Sequence, residues 1–159
     1  MKIILTSIFL IVTNFTISYS EDYKFEKLII LNKPWGSSFI NNNEIIITEK
    51  SGKIKIVNIV SKEVTEIKHN LNFLEVGQGG LLDIIYKDNE VWVSYSEDRG
   101  DSKTSTSIAK AKLNKQELNF KNIFQANPPI DSGYHFGSRL VIKGDYLYAS
   151  AGERGQGMI

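Results

Sequence analysis

The sequence predicts an all-β protein built from repeated, roughly four-stranded units. Helical periodicity is nearly absent along its 159 residues. Short runs rich in β-branched and aromatic residues follow one another, each bounded by Asn, Asp, Gly or Lys. A turn pattern also returns at intervals near fifty residues.

The elements read in chain order as strands near Phe25–Leu31, Glu44–Glu49, Lys53–Ile59, Leu81–Tyr86, Val91–Ser96, Ser107–Leu113, Leu118–Phe124, Arg139–Ile142 and Tyr146–Ala151. Val91, Val93 and Tyr95 alternate with Trp92 and Ser94, and Ala109, Ala111 and Leu113 alternate with Lys110 and Lys112. A period of two with one polar face marks an antiparallel strand. Pro34-Trp35-Gly36 reads as a turn whose Trp packs between strands, and Ser51-Gly52 as a tight hairpin.

The repeat places Asn41-Asn42-Asn43-Glu44, Lys87-Asp88-Asn89-Glu90 and Lys143-Gly144-Asp145 at equivalent positions, each between apolar runs. Glu44 and Glu90 are 46 residues apart, Glu90 and Asp145 55. Repeats of roughly 40–50 residues made of about four strands are the mark of a β-propeller. Only the first two to three blades fit here, and propellers have at least four. The chain is therefore expected to be truncated at Ile159. A small two-sheet sandwich, complete as written, is the alternative.

Composition narrows the function. Nineteen basic residues face eighteen acidic ones, with no basic patch that would suit nucleic acid. Cysteine is absent, which excludes thiol nucleophiles and thiolate metal sites. Two histidines, His69 and His135, cannot build a three-histidine metal site. Residues 1–20 read as a secretory signal peptide. Lys2 is followed by an apolar run from Ile3 to Val12, and Ser18-Tyr19-Ser20 supplies small residues at a cleavage site. That run is well short of the roughly 20 residues of a membrane span. The mature chain, 21–159, is expected in the periplasm or outside the cell, with no membrane span after cleavage.

Besides Pro34-Trp35-Gly36, three segments depart from plain strand-and-turn composition. Gly77-Gln78-Gly79-Gly80 surrounds one polar side chain with glycines, and either a tight turn or a close approach to a ligand would explain it. Gly133-Tyr134-His135-Phe136-Gly137-Ser138-Arg139-Leu140 carries a histidine between aromatics before a strand. A general base and a structural histidine both fit that setting. Gly152-Glu153-Arg154-Gly155 is either a turn with a surface ion pair or a cation near an anionic cofactor. His69 sits in a polar stretch and reads as exposed, and Arg99-Gly100-Asp101 reads as a chance tripeptide in a polar loop.

Taken together and in this order, "PWG", "GQGGLLDI", "HFGSRL" and "GERG" resemble the soluble pyrroloquinoline-quinone (PQQ)-dependent sugar dehydrogenases, more narrowly the aldose, or glucose/sorbosone, dehydrogenase branch. "VWVSYS", "TSIAKAKL" and "NIFQANPP" fit between them, so the resemblance runs from about Phe25 to Gly155. It implies a six-bladed propeller of which this is the N-terminal part. His135 falls on the family's catalytic base, which takes the proton of the sugar's anomeric hydroxyl while a hydride passes to the quinone, giving a lactone. Gln78 falls on a cofactor-contacting glutamine. The resemblance also implies PQQ, a calcium ion whose ligands lie beyond residue 159, an aldose substrate and a respiratory electron acceptor. It leaves no metal ligand to assign here. Some members carry an acid or amide just before the histidine, where this chain has Tyr134, which puts the basicity of His135 in question. The chain by itself is expected neither to close the ring nor to oxidise sugar. The competing reading is a non-enzymatic secreted propeller that binds glycans or proteins. Reading the coding sequence past Ile159 checks the truncation: three to four more repeats are expected, and a stop codon there would sink it.

Overall fold

The computed structural model describes residues 23–157. The signal peptide read at residues 1–20 and the chain end at Ile159 lie outside them. Among the described residues every regular element is a strand, and no helix is long and apolar enough to cross a membrane.

The first sheet is an antiparallel meander: β1 (Pro34–Phe39), β2 (Glu44–Glu49), β3 (Lys53–Asn58) and β4 (Val64–His69). The second repeats it with β5 (Leu81–Lys87), β6 (Glu90–Asp98), β7 (Thr104–Lys112) and β9 (Lys121–Gln125). Between β7 and β9 the chain reaches back, and the two-residue β8 (Glu117–Leu118) pairs parallel with β4. Asn70 and Phe120 complete this crossing. The Asn70 amide donates to the Phe120 carbonyl at 3.1 Å, and the Phe120 N–H donates to Asn70 Oδ1 at 2.8 Å. A third unit begins with the hairpin β10 (Gly137–Lys143) and β11 (Tyr146–Ala151). Two four-stranded blades and the start of a third, not closed into a ring, are what the repeat predicts for part of a propeller.

The first two sheets share a dry interface. Ile46, Ile54, Ile56 and Ile67 of the first join Leu81, Ile84, Val91, Val93, Ala109 and Ala111 of the second in one buried cluster. This is the apolar face that a single blade cannot bury alone. The second sheet meets the third through polar groups. Ser94 Oγ accepts from the Asp83 N–H at 3.0 Å and donates to the Ser138 carbonyl at 2.7 Å. Thr106 Oγ1 donates to the Phe136 carbonyl at 2.7 Å.

Five sequence expectations change. Phe25–Leu31 forms no strand, because among the described residues no strand edge pairs with it; Phe25 is 95% exposed. Pro34-Trp35-Gly36 is the start of β1, not a turn, and Trp35 is about half exposed rather than packed between strands. Glycine is required there because a Cβ at Gly36 would lie 2.7 Å from the Asp83 Cα and the Ile84 nitrogen, so β1 can lie against β5. β4 escaped notice because its pattern is polar, with only Ile67 fully buried. His69, expected to be exposed, is half-buried; its Nε2 bonds the Gly52 carbonyl at 2.8 Å, and its Nδ1 accepts from the Leu71 N–H at 3.3 Å. The run Leu118–Phe124 divides in two because Leu118 pairs with the first sheet before the chain returns to the second.

Ile46 is fully buried in the dry interface. Ile46→Ala is expected to lower stability by about 2–5 kcal/mol in urea denaturation.

Candidate active site

Three chain segments meet at one end of the strands. The first is the turn before β5. Gly77 and Gly80 have φ of 53° and 144°, which glycine adopts without strain. The Gly79 N–H donates to the Val76 carbonyl at 2.7 Å and the Gly80 N–H to Ser96 Oγ at 2.7 Å, closing the turn. Lys50 secures it from the first sheet: its ammonium donates to the Gly77 carbonyl, and its carbonyl accepts from the Leu81 N–H at 3.2 Å.

The second segment is the loop before β10. It touches the first through paired glycines: a Cβ at Gly77 would collide with the Gly133 carbonyl, and one at Gly133 would sit 3.1 Å from the Gly77 Cα. The Gln78 N–H donates to the Gly133 carbonyl at 2.7 Å, and the His135 N–H donates to Gln78 Oε1 at 2.9 Å. The two residues singled out by sequence, 57 positions apart, are thus in direct contact. His135 itself has φ of 47°, a left-handed conformation that costs a non-glycine residue on the order of 1–3 kcal/mol and must be held by its surroundings.

The third segment is the turn after β11. His135 Nδ1 is hydrogen-bonded to Glu153 Oε1. Gly152 makes this approach feasible, since a Cβ there would collide with the His135 carbonyl. The bond from His135 holds the Glu153 carboxyl below its ordinary value, and the Gly155 N–H adds a contact at 3.2 Å. With a carboxylate at Nδ1, the neutral imidazole carries its proton there and leaves the Nε2 lone pair free. The ring is about half exposed, and Nε2 has no hydrogen-bond partner among the described residues. The arrangement can therefore accept a proton from a substrate hydroxyl, its ring fixed by the carboxylate and its backbone by Gln78.

Glu153 is the residue that sequence reasoning passed over. Tyr134, which stands where some relatives have an acid or amide, is 61% exposed and meets the His135 ring edge-on at 6.3 Å between centroids. The negative charge comes from a different turn. Arg154, for which the sequence left open a surface ion pair or a place near an anionic cofactor, does not form the surface ion pair. It is buried beneath the loop, its guanidinium bonded to the carbonyls of Ser132, Tyr134 and Thr104 and to Thr104 Oγ1. Among the described residues no group of three or more His, Asp or Glu side chains is placed to hold a metal ion.

The stacked four-stranded sheets, with a carboxylate-bound histidine in loops at one end, define the class as a β-propeller with a candidate acid–base site. Residues 31–158 match the model of the glucose/sorbosone dehydrogenase family, and the chain belongs to that family. It is 29% identical over 136 residues to the aldose sugar dehydrogenase YliI of Escherichia coli K12, covering 79% of this chain and 37% of that protein. The crystal structure of the soluble aldose sugar dehydrogenase from Escherichia coli superposes with a TM-score of 0.73 at 30% identity, covering 79% of this chain and 39% of that one. The fold also matches the PQQ-bound aldose sugar dehydrogenase of Streptomyces coelicolor, with a TM-score of 0.68 at 23% identity over 79% of this chain and 40% of that one. The chain thus spans about two fifths of the length of these relatives.

The lowered Glu153 pKa sets a pH dependence. A depressed carboxyl contributes stability that is fully present above its unfolded value, 4.5, and is lost as pH falls through the folded value. Wild type and Glu153→Gln are therefore expected to differ in urea midpoint near neutrality and to converge as pH falls below 4.5 and through the folded value.

Proposed function

We propose that this chain supplies the base and a cofactor contact of a PQQ-dependent dehydrogenase that oxidises an aldose at its anomeric hydroxyl to a lactone. The observation that carries this reading is the His135–Glu153 pair, with a free Nε2, set directly on Gln78. The names of the relatives support it: one is an aldose sugar dehydrogenase, and another was solved with PQQ bound.

The donor set fits such a cofactor. Gln78 Oε1 is occupied by the His135 N–H, while its amide nitrogen has no partner among the described residues. That leaves an N–H donor pair beside the imidazole, suited to the carbonyl or carboxylate oxygens of a quinone. When bound, the quinone supplies the two-electron sink for the hydride leaving the anomeric carbon. His135 Nε2 removes the anomeric O–H proton as the C–O bond becomes the lactone carbonyl. Glu153 holds the ring in the correct tautomer and stabilises the imidazolium that forms, the role a carboxylate plays behind a histidine base in hydrolases. Gln78 aligns the cofactor with the loop that carries the base. Calcium polarising the quinone, a respiratory electron acceptor and a periplasmic or secreted location complete the proposal, and none of these draws on the described residues.

The test uses the intact protein loaded with PQQ and calcium, with aldose-dependent reduction of an acceptor dye as the readout. His135→Ala is expected to lower kcat by about 10²–10⁴-fold. Wild-type turnover in that variant would refute the base assignment.

A further inference from the structure

We propose that Arg154 is a positioning residue for His135: its buried guanidinium fixes the 132–136 loop so that the imidazole stays on Glu153 and its backbone on Gln78. The proposal rests on the reading of His135 as the base.

The contacts converge on that loop. Arg154 Nε donates to the Tyr134 carbonyl at 3.0 Å, and Nη2 donates to the Ser132 carbonyl. Nη1 donates to the Thr104 carbonyl at 3.0 Å and Nη2 to Thr104 Oγ1 at 2.7 Å, which ties the loop to β7. The guanidinium carbon lies 3.6 Å from the centroid of the Phe136 ring. One side chain therefore holds residues 132, 134 and 136, with His135 between the last two. The loop answers in kind: Ser132 Oγ donates to the Arg154 carbonyl at 2.6 Å, and the Gly152 N–H donates to the Phe136 carbonyl at 3.1 Å.

Four further observations favour positioning over a plain structural or ligand-binding role. Arg154 is 8% exposed, and among the described residues its guanidinium meets carbonyl and hydroxyl oxygens without a carboxylate. Burial lowers its pKa from the ordinary arginine value, so the bonds to the loop offset a real desolvation cost. Four of the five N–H groups of the fork are engaged, which leaves no bidentate face for an external anion. The backbone at Arg154 is also left-handed, with φ of 62°, where glycine would be easier. The side chain occupies the position against that preference. A lysine could not replace it, because a single ammonium does not present the planar fork that reaches two carbonyls in fixed directions.

The sequence offers a clean probe. In a histidine-labelled sample of the intact protein, the imidazole NMR signals of His135 and His69 are assigned by their loss in His135→Ala and His69→Gln, with His69 on β4 as internal control. Arg154→Gly suits the left-handed backbone and removes the guanidinium. We expect its His135 signal to move toward that of a free imidazole while His69 stays in place. Turnover is expected to fall about 10- to 100-fold with KM changed by less than about 3-fold, as for a misplaced catalytic group. Millimolar ethylguanidinium should restore both the signal and part of kcat. A variant that loses thermal stability but keeps the wild-type His135 signal and kcat would overturn the proposal, as would a guanidinium rescue that leaves the His135 signal unmoved. Should Arg154→Gly not fold, Thr104→Val decides. It removes one acceptor of Arg154 together with a long hydrogen bond from Thr104 Oγ1 to the Ser132 carbonyl at 3.4 Å, and keeps the charge: a His135 shift in the same direction supports the proposal, and an unmoved signal overturns it. If His135→Ala retained wild-type turnover, the base reading would fail, and the imidazole signal would still report whether Arg154 orients the ring.

Discussion

Asp83 is the fixed point of this structure. It lies on β5 and is 3% exposed. Its carboxylate accepts from the Leu140 N–H at 2.8 Å, from the Ile84 N–H at 3.0 Å, and from Arg139 Nη1 at 3.2 Å on each oxygen. A buried carboxylate left without partners costs several kcal/mol, so β10 has to begin where its backbone can reach this group. The Arg139 side chain is mostly in solvent, which screens its charge. The backbone N–H of Leu140 therefore carries the alignment. His135 lies five residues before Leu140 on the same stretch of chain, so the position of the loop follows from that of the strand.

The two inter-sheet contacts divide the work. The first and second sheets meet through close-packed aliphatic side chains, which supply stability without direction. The second and third meet through Asp83, Ser94 and Thr106, whose hydrogen bonds are directional and fix register. Residues of the proposed site come from the loops around this polar contact: Gln78 precedes β5, His135 precedes β10 and Glu153 follows β11. Loops on a rigid sheet frame are the usual place for chemistry. Here each loop also bears on another, through Gly77 against Gly133 and Gly152 against His135.

Much of this was legible in the sequence, for identifiable reasons. Strands with apolar–polar alternation, such as Glu90–Asp98 and Thr104–Lys112, declared themselves by residue type, although burial alternates only over Glu90–Val93 and the last residues before Lys112, and Val93–Glu97 and Thr104–Ala109 are buried throughout. β4 did not, because it has a single fully buried position, and Phe25–Leu31 misled because strand pattern is not strand pairing. Gln78 and His135 stood out by their glycine-rich settings, but their contact depends on two loops meeting across sheets. The pairing of Glu153 with His135 needs a left-handed residue at 135 and the close approach of the His135 carbonyl to Gly152, neither of which a pattern of residue types reveals. The available signal was the pair of glycines bracketing Glu153 and Arg154. Arg154 does not form the surface ion pair that its glycine-rich turn suggested, because it is covered by Phe136 and Thr104.

The return of the chain to β4 through β8 has a consequence for how the molecule comes apart. Leu118 is fully buried against the first sheet, and Asn70 and Phe120 exchange two hydrogen bonds beside it. Residues that lead into β9 are therefore sewn into the neighbouring sheet before β9 forms. Peeling away the outer strand of the second sheet pulls on the edge of the first, so the two share one cooperative opening event.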